Sequence, residues 1–190
     1  MSTMAWGIEL VRVGVVPPNL MRALRRQLIE RLDRPVSVVA SAVDPAPSFD
    51  PHRRQYSAAT LLEILMRGLP GASDQRIGVT AVDLYLPVFT HVFGNAQVGG
   101  RVAVASYHRL RPEFSDDPPD PARLESRLLK GVLHELGHTL GLVHCRVPWC
   151  VMTLSRSPEQ VDVKDAGFCP TCARRIGVPE RASGLDGDLP

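Results

Sequence analysis

No stretch of this 190-residue chain approaches the eighteen or so consecutive apolar residues of a membrane span. An export signal is missing too: the apolar stretch Trp6 to Val16 is broken by Glu9 and Arg12, and no small-residue cleavage site follows. Both absences lead to the expectation of a cytoplasmic protein with no membrane partner. An excess of one charge is also lacking, and a net charge of +2 is too small to imply nucleic-acid binding. Lysine is scarce, at two of 22 cationic residues, and the twenty arginines are spread along the chain as on a solvated surface. With 5% aromatic residues no specificity pocket announces itself. Cysteine is absent before position 145, and no internal repeat is present.

What remains is ordinary globular composition, 44% apolar and 22% charged, in a length that suits one domain. Residues 8–16 (IELVRVGVV) predict a strand, stopped by Pro17 and Pro18. Asn19 is the expected cap of a helix over 20–32, where Leu20, Leu24, Leu28 and Leu32 recur every four residues. A second strand is expected over 35–43 and a surface loop over 44–56. Ser57 should cap a second helix bearing Leu61, Leu62, Leu65 and Leu69, ended by Gly68 and Pro70. A buried strand is predicted over 77–86, and two short strands over 90–106 with turns at Gly94 and Gly99-Gly100. Asp120 and Pro121 then open the longest helix, about 121–141. This order predicts an α/β (α+β) domain with a mixed sheet. Beyond about 143 periodicity is lost, so something other than an apolar core must hold that segment. No inhibitory pro-segment is expected, since the predicted first strand begins near residue 8, and 179–190 reads as a flexible tail.

Residues 134–144 read HELGHTLGLVH. On a helix His134 and His138 are one turn apart and share a face, so two imidazoles can grip one cation. Glu135 points about 100° away, close enough to reach a water on that cation without ligating it. Gly141 can take a left-handed conformation that turns the chain back and lets His144 supply a third nitrogen. Three protein ligands leave one zinc position open, which is the pattern of a catalytic site. With six His, eight Glu and fifteen Gly in the chain, a chance match has a probability on the order of 10⁻⁵. The chemistry this pattern supports is hydrolysis, with Glu135 as general base. Tyr107 and His108 are candidates for a second oxyanion donor.

Cys145 and Cys150 form a C-x₄-C pair, and Cys169 and Cys172 a C-x-x-C pair. Four cysteines so spaced match a structural zinc that would clip the coreless segment together. Two disulfides or unused thiols would also account for them, although a reducing compartment favours metal. Two zinc ions per chain are therefore expected, as neighbours, because Cys145 follows His144 directly.

HELGHTLGLVH followed by Cys145, Cys150, Met152, Cys169 and Cys172 resembles the archaemetzincins, a metzincin-clan family of zinc proteases with a second, four-cysteine zinc. The similarity extends upstream through VTAVDLYLPVF and FGNAQVGGRVAVAS. It implies a minimal zincin-like fold over about 1–178: a twisted sheet over the active-site helix to about residue 141, then a small zinc-stapled part over about 142–178. It also implies that His134, His138 and His144 hold the catalytic zinc, that the four cysteines hold the structural one, and that Met152 lies beneath the catalytic metal. On its own residues Met152 is only a core methionine. The spacing of sixteen residues between Met152 and Cys169 is slightly shorter than the family's. The resemblance further implies a peptide or protein substrate lying along an edge strand, expected within 97–106.

Two other readings compete. A cytosolic metal-dependent endoribonuclease shares the H-x₃-H-x₅-H spacing, but Glu135 and the cysteine quartet are foreign to it. A zinc-containing peptide-binding module without turnover would leave Glu135 without a task.

Overall fold

The computed structural model describes residues 6–67 and 75–180. A five-stranded sheet runs β2(Val36–Val43)–β1(Ile8–Val13)–β5(Gln75–Thr80)–β9(Val102–Ser106)–β8(Gly94–Ala96), with only the β8–β9 pair antiparallel. Its two faces are set by alternation along the strands. Ile8, Leu10, Ile77, Val79, Ala103 and Ala105 face one core, which α1 (Pro18–Leu32) and α3 (Pro121–Thr139) cover. Val11, Val13, Val102 and Val104 face the other, under α2 (Ala58–Met66). A second sheet, β3(Phe49–Asp50)–β4(Gln55–Ser57)–β6(Leu84–Leu86)–β7(Phe89–Val92), lies beyond α2 on that side. The mixed α/β class expected from the element order is what the structure shows.

Local signals hold where a side chain makes its own bond. Ser57 Oγ accepts from Thr60 N at 3.2 Å and caps α2, and Asp120 Oδ1 accepts from Arg123 N at 2.9 Å and caps α3. The expected end of the second helix at Leu69, Gly68 and Pro70 lies outside the described residues, as does the part of the expected tail from 181 on. Helix α1 begins two residues early: Pro17 is its cap residue and Asn19 sits inside the first turn. Pro18, with its fixed φ and no N–H to satisfy, opens the helix without a side-chain cap.

Other expectations needed tertiary information. The loop expected over 44–56 contains β3 and β4, joined by a turn in which Asp50 Oδ1 accepts from His52 N and Arg53 N. The strand expected over 77–86 breaks after Thr80, whose Oγ1 accepts from Val82 N, and its second half joins the other sheet. Asp83 fixes that crossing through a two-pronged pair with Arg109 at 2.7 Å and a bond from Gln55. Gly94 lies in a strand and not in a turn, so 89–106 holds three strands instead of two.

After α3 the chain forms two short helices, α4 (Pro158–Asp162) and α5 (Pro170–Ile176). Arg127 of α3, 3% exposed, clamps Asp162 through two bonds of 2.8 and 2.6 Å. That guanidinium also holds the Asp162 carboxyl below its usual range. Lys130 Nζ donates to the carbonyls of Val161 and Asp162. No helix among the described residues is long and apolar enough to cross a membrane.

Candidate metal centres

Helix α3 ends under His138 in a left-handed turn. Leu142 N donates to Gly137 O and Gly141 N to His138 O, both at 2.9 Å, with Gly141 at φ +86°. This is a Schellman closure, and a side chain at Gly141 would be strained in that conformation. It turns the chain back over the helix end and brings His144 beside the other two rings. The ligand nitrogens of His134, His138 and His144 all lie within 4.8 Å of one another.

The ring orientations are set by backbone carbonyls. His134 Nδ1 lies 2.8 Å from Val151 O, and His138 Nδ1 lies 2.8 Å from Leu142 O. A carbonyl can only accept, so each Nδ1 carries the proton and each Nε2 presents a bare lone pair. Those two Nε2 atoms face each other at 3.2 Å. Two lone pairs at that distance repel unless a cation sits between them. A tetrahedral zinc with bonds of about 2.0–2.1 Å would set its ligand nitrogens about 3.3 Å apart, so the pair fits that ion. Burial, followed by the field of Lys164, drops His134 to about 3, and burial also lowers His144. Both therefore offer neutral imidazole at neutral pH.

Glu135 follows His134 but does not join this cluster. It is 7% exposed and packs against β8, where a Cβ built on Gly94 would lie 2.5 Å from Glu135 Oε1. Burial lifts its carboxyl to about 8, against the opposing field of Lys164. Met152, fully buried, fills the space left by Gly137 of α3, where any Cβ would overlap its sulfur.

The second cluster gathers Cys145, Cys150, Cys169 and Cys172, all free thiols with sulfurs within 4.8 Å of one another. Cys145 Sγ and Cys169 Sγ are 3.9 Å apart, far beyond a disulfide bond. The edge of a tetrahedron with zinc–sulfur bonds of about 2.3 Å is close to 3.8 Å. Burial pushes Cys150 up to about 11 and raises Cys172 as well. Burial opposes ionisation at Cys169 too, but the Cys172 backbone N–H and the neighbouring thiols pull it below the usual range. Such a quartet becomes fully ionised only around a cation. The bond from Cys145 N to Met152 O closes the turn that carries Cys145 and Cys150, and bonds from Val151 N to Gly167 O and Asp165 N to Trp149 O hold it against the segment leading to Cys169 and Cys172 on α5.

A cleft of about 760 Å³ opens over the histidines. Besides the histidines and Glu135 it is lined by the chain from Phe89 to Ala96 with Val98, by Leu154 to Arg156, and by Leu110, Gly131, Val161 and Lys164. The edge strand beside the site is therefore β8, Gly94–Ala96. The strand expected within 97–106 is β9, an interior strand buried on both faces. Gly99 does approach closely, since its N–H donates to His138 O at 2.9 Å. Tyr107 is buried in the core, and His108 Nδ1 lies 2.9 Å from Ala81 O; neither lines the cleft. His91 and Lys164 do, and sequence reasoning passed over both. Rarity could have flagged Lys164, one of only two lysines.

The family model described as Peptidase family M54 matches residues 38–177. The chain is similar to the archaemetzincin of Methanocaldococcus jannaschii, with 39% identity over 165 residues, 86% of this chain and 89% of the relative. Among solved structures it resembles a zinc-dependent peptidase from Methanocorpusculum labreanum at a TM-score of 0.80 and 32% identity, covering 90% of this chain and 100% of the other. The archaemetzincin of Methanopyrus kandleri superposes at a TM-score of 0.74 with 35% identity, covering 90% and 94%.

Proposed function

Because the chain belongs to peptidase family M54, the archaemetzincin family of zinc metallopeptidases, we propose that it hydrolyses peptide bonds at the His134–His138–His144 centre with Glu135 as general base. The observation that carries this reading is the pair of bare Nε2 lone pairs 3.2 Å apart, each fixed by a carbonyl behind it. When bound, zinc supplies a Lewis acid for the scissile carbonyl and brings the proton of a water within reach of a carboxylate. Glu135 takes that proton and hands it to the departing amine. The carboxyl that burial holds at about 8 comes into this role once a divalent charge lies beside it and lowers its proton affinity. Substrate backbone lies along β8, whose outer edge faces the cleft. Met152 supports the rings from below.

The four cysteines hold a second, structural zinc, giving two ions per chain. On this reading residues 1 to about 141 form an upper part and about 142–178 a zinc-stapled lower part of one catalytic domain. Four free thiols in such a site suit the reducing cytoplasm.

The test is a direct one. The purified protein and its Glu135→Gln variant are incubated with a peptide mixture and, separately, an RNA mixture, and metal per chain is measured. Peptide cleavage should fall about 10²–10⁴-fold in the variant while two equivalents of zinc remain. One equivalent should survive replacement of all three histidines. RNA cleavage, or no cleavage by the parent, would overturn the assignment.

A further inference from the structure

Lysine is the scarcest charged residue in this chain, yet both lysines are buried, Lys130 at 8% and Lys164 at 5% exposure. Each donates to two backbone carbonyls. Lys130 reaches adjacent residues on α4, Val161 and Asp162, and its task there is to dock that helix. Lys164 Nζ reaches Val151 O at 3.1 Å and Thr153 O at 2.8 Å, one on each side of Met152. A compact ammonium with three rotatable donors fits between carbonyls two residues apart. The planar fork of an arginine does not.

Val151 O is also the acceptor for His134 Nδ1, at 2.8 Å. Its two lone pairs are thus both engaged, one by the imidazole and one by the ammonium. We infer that Lys164 is a positioning residue for the histidine metal centre: its ammonium pins the Val151 carbonyl, and through it fixes the tautomer and aim of the His134 ring. Stability alone does not account for this lysine. No carboxylate among the described residues lies within ion-pair distance of it, and its two carbonyl bonds and the fields of Cys150 and Glu135 offset only part of the cost of burying its charge. Burial draws its own proton affinity down to about 8. A methionine would fill the same volume without that cost. The geometry therefore assigns to Lys164 a role at the metal centre, in a position that side-chain packing does not demand.

The inference rests on the reading that the three imidazoles hold zinc, and the experiment separates the two. Zinc affinity of the histidine site is measured by competition with a chromophoric chelator, with occupancy of the cysteine site as internal control. Lys164→Met keeps the stem and removes the charge; affinity at the histidine site should fall about 10–100-fold, as for other groups that orient a metal-bound histidine. The cysteine-site zinc should be retained, and the melting temperature should hold or rise. Lys164→Arg should fare no better than Lys164→Met. In Lys164→Ala, ethylammonium entering from the cleft should restore part of the lost affinity, and ethanol should not.

Unchanged affinity in Lys164→Met overturns the proposal and leaves the metal site intact. So does loss of both zincs together with the fold in Lys164→Met and Lys164→Ala, which would make the lysine a structural bolt. If the parent binds no zinc through its three histidines, the reading of the previous subsection fails instead.

Discussion

The chain up to the end of α3 and the segment that follows it are held together by different means. The first part buries two apolar clusters on the two faces of one sheet, with Leu10, Leu28, Ile77, Val79 and Val104 fully enclosed. The second, expected to lack an apolar core, nonetheless feeds the first cluster with Leu142, Val151, Met152, Phe168, Ala173 and Ile176 among others. It otherwise depends on a buried guanidinium, the buried Lys130 ammonium and four converging thiols. Apolar packing is non-directional and tolerant of small shifts. Ligands and hydrogen-bonded charges are directional. The three histidines of the candidate metal centre straddle the two regions, His134 and His138 on the packed helix and His144 on the segment that follows it. The catalytic geometry should therefore be sensitive to both kinds of support.

The sharpest way to break this contrast is Cys172→Ser. A structural zinc contributes on the order of 10 kcal/mol to the fold it closes. The variant should lose one zinc equivalent and show fast amide exchange across 145–176, with β1, β5 and β9 still protected. Zinc at the histidine site should weaken with it. Uniform loss of protection across the whole chain would mean that the two regions unfold as one.

Leu24→Ala probes the other side. Leu24 is 2% exposed under the sheet, and its truncation should cost about 2–5 kcal/mol in denaturant unfolding. Zinc affinity at both sites should be unchanged at low denaturant.

A smaller effect tests the burial of Glu135 at the junction, in protein whose histidine site has been emptied by a mild chelator. The folded-state carboxyl is raised to about 8, so its contribution is full below about 4.5 and is lost as pH rises through 8. The His134 contribution has the opposite sense: its folded value is lowered, so the contribution is complete above 6.5 and is lost as pH falls toward 3. Lys164, lowered to about 8, gains only above that value. Between pH 6.5 and 8 the stripped protein should therefore become less stable by about 1–3 kcal/mol. Glu135→Gln should flatten that slope in thermal melts.

The smallest effect is expected for Gly141→Ala, which forces a Cβ into the left-handed turn at about 1–2 kcal/mol. Its melting temperature should fall modestly. Peptide cleavage should fall more, because the strain lies in the turn that delivers His144.

The sequence carried the site better than the sheet. The spacing of His134, His138 and His144 is local: a helix face and a glycine turn bring the rings together within eleven residues. Asp120 and Ser57 likewise act on N–H groups only three residues away. Pro17–Pro18 misled because proline opens a helix as well as it stops a strand. The two-residue strand β3 carried no periodicity long enough to see. Lys164 could not be placed at all, since its partners Val151 and Thr153 are reached through loops with no regular pattern.

By itself, then, the sequence determined the grouping of His134, His138 and His144, the caps at Ser57 and Asp120, and the mixed α/β class. The first two follow from side-chain chemistry acting within about three turns of chain, and the class from the order of the elements. Tertiary structure decided which strand borders the cleft, where the run from 77 to 86 breaks, and which carbonyl orients His134. Those depend on pairings between residues well separated in the chain, such as Ile77 with Ala103, and Val151 with both His134 and Lys164. Parallel register and buried polar contacts are fixed by what the rest of the fold leaves available, and no local pattern encodes that.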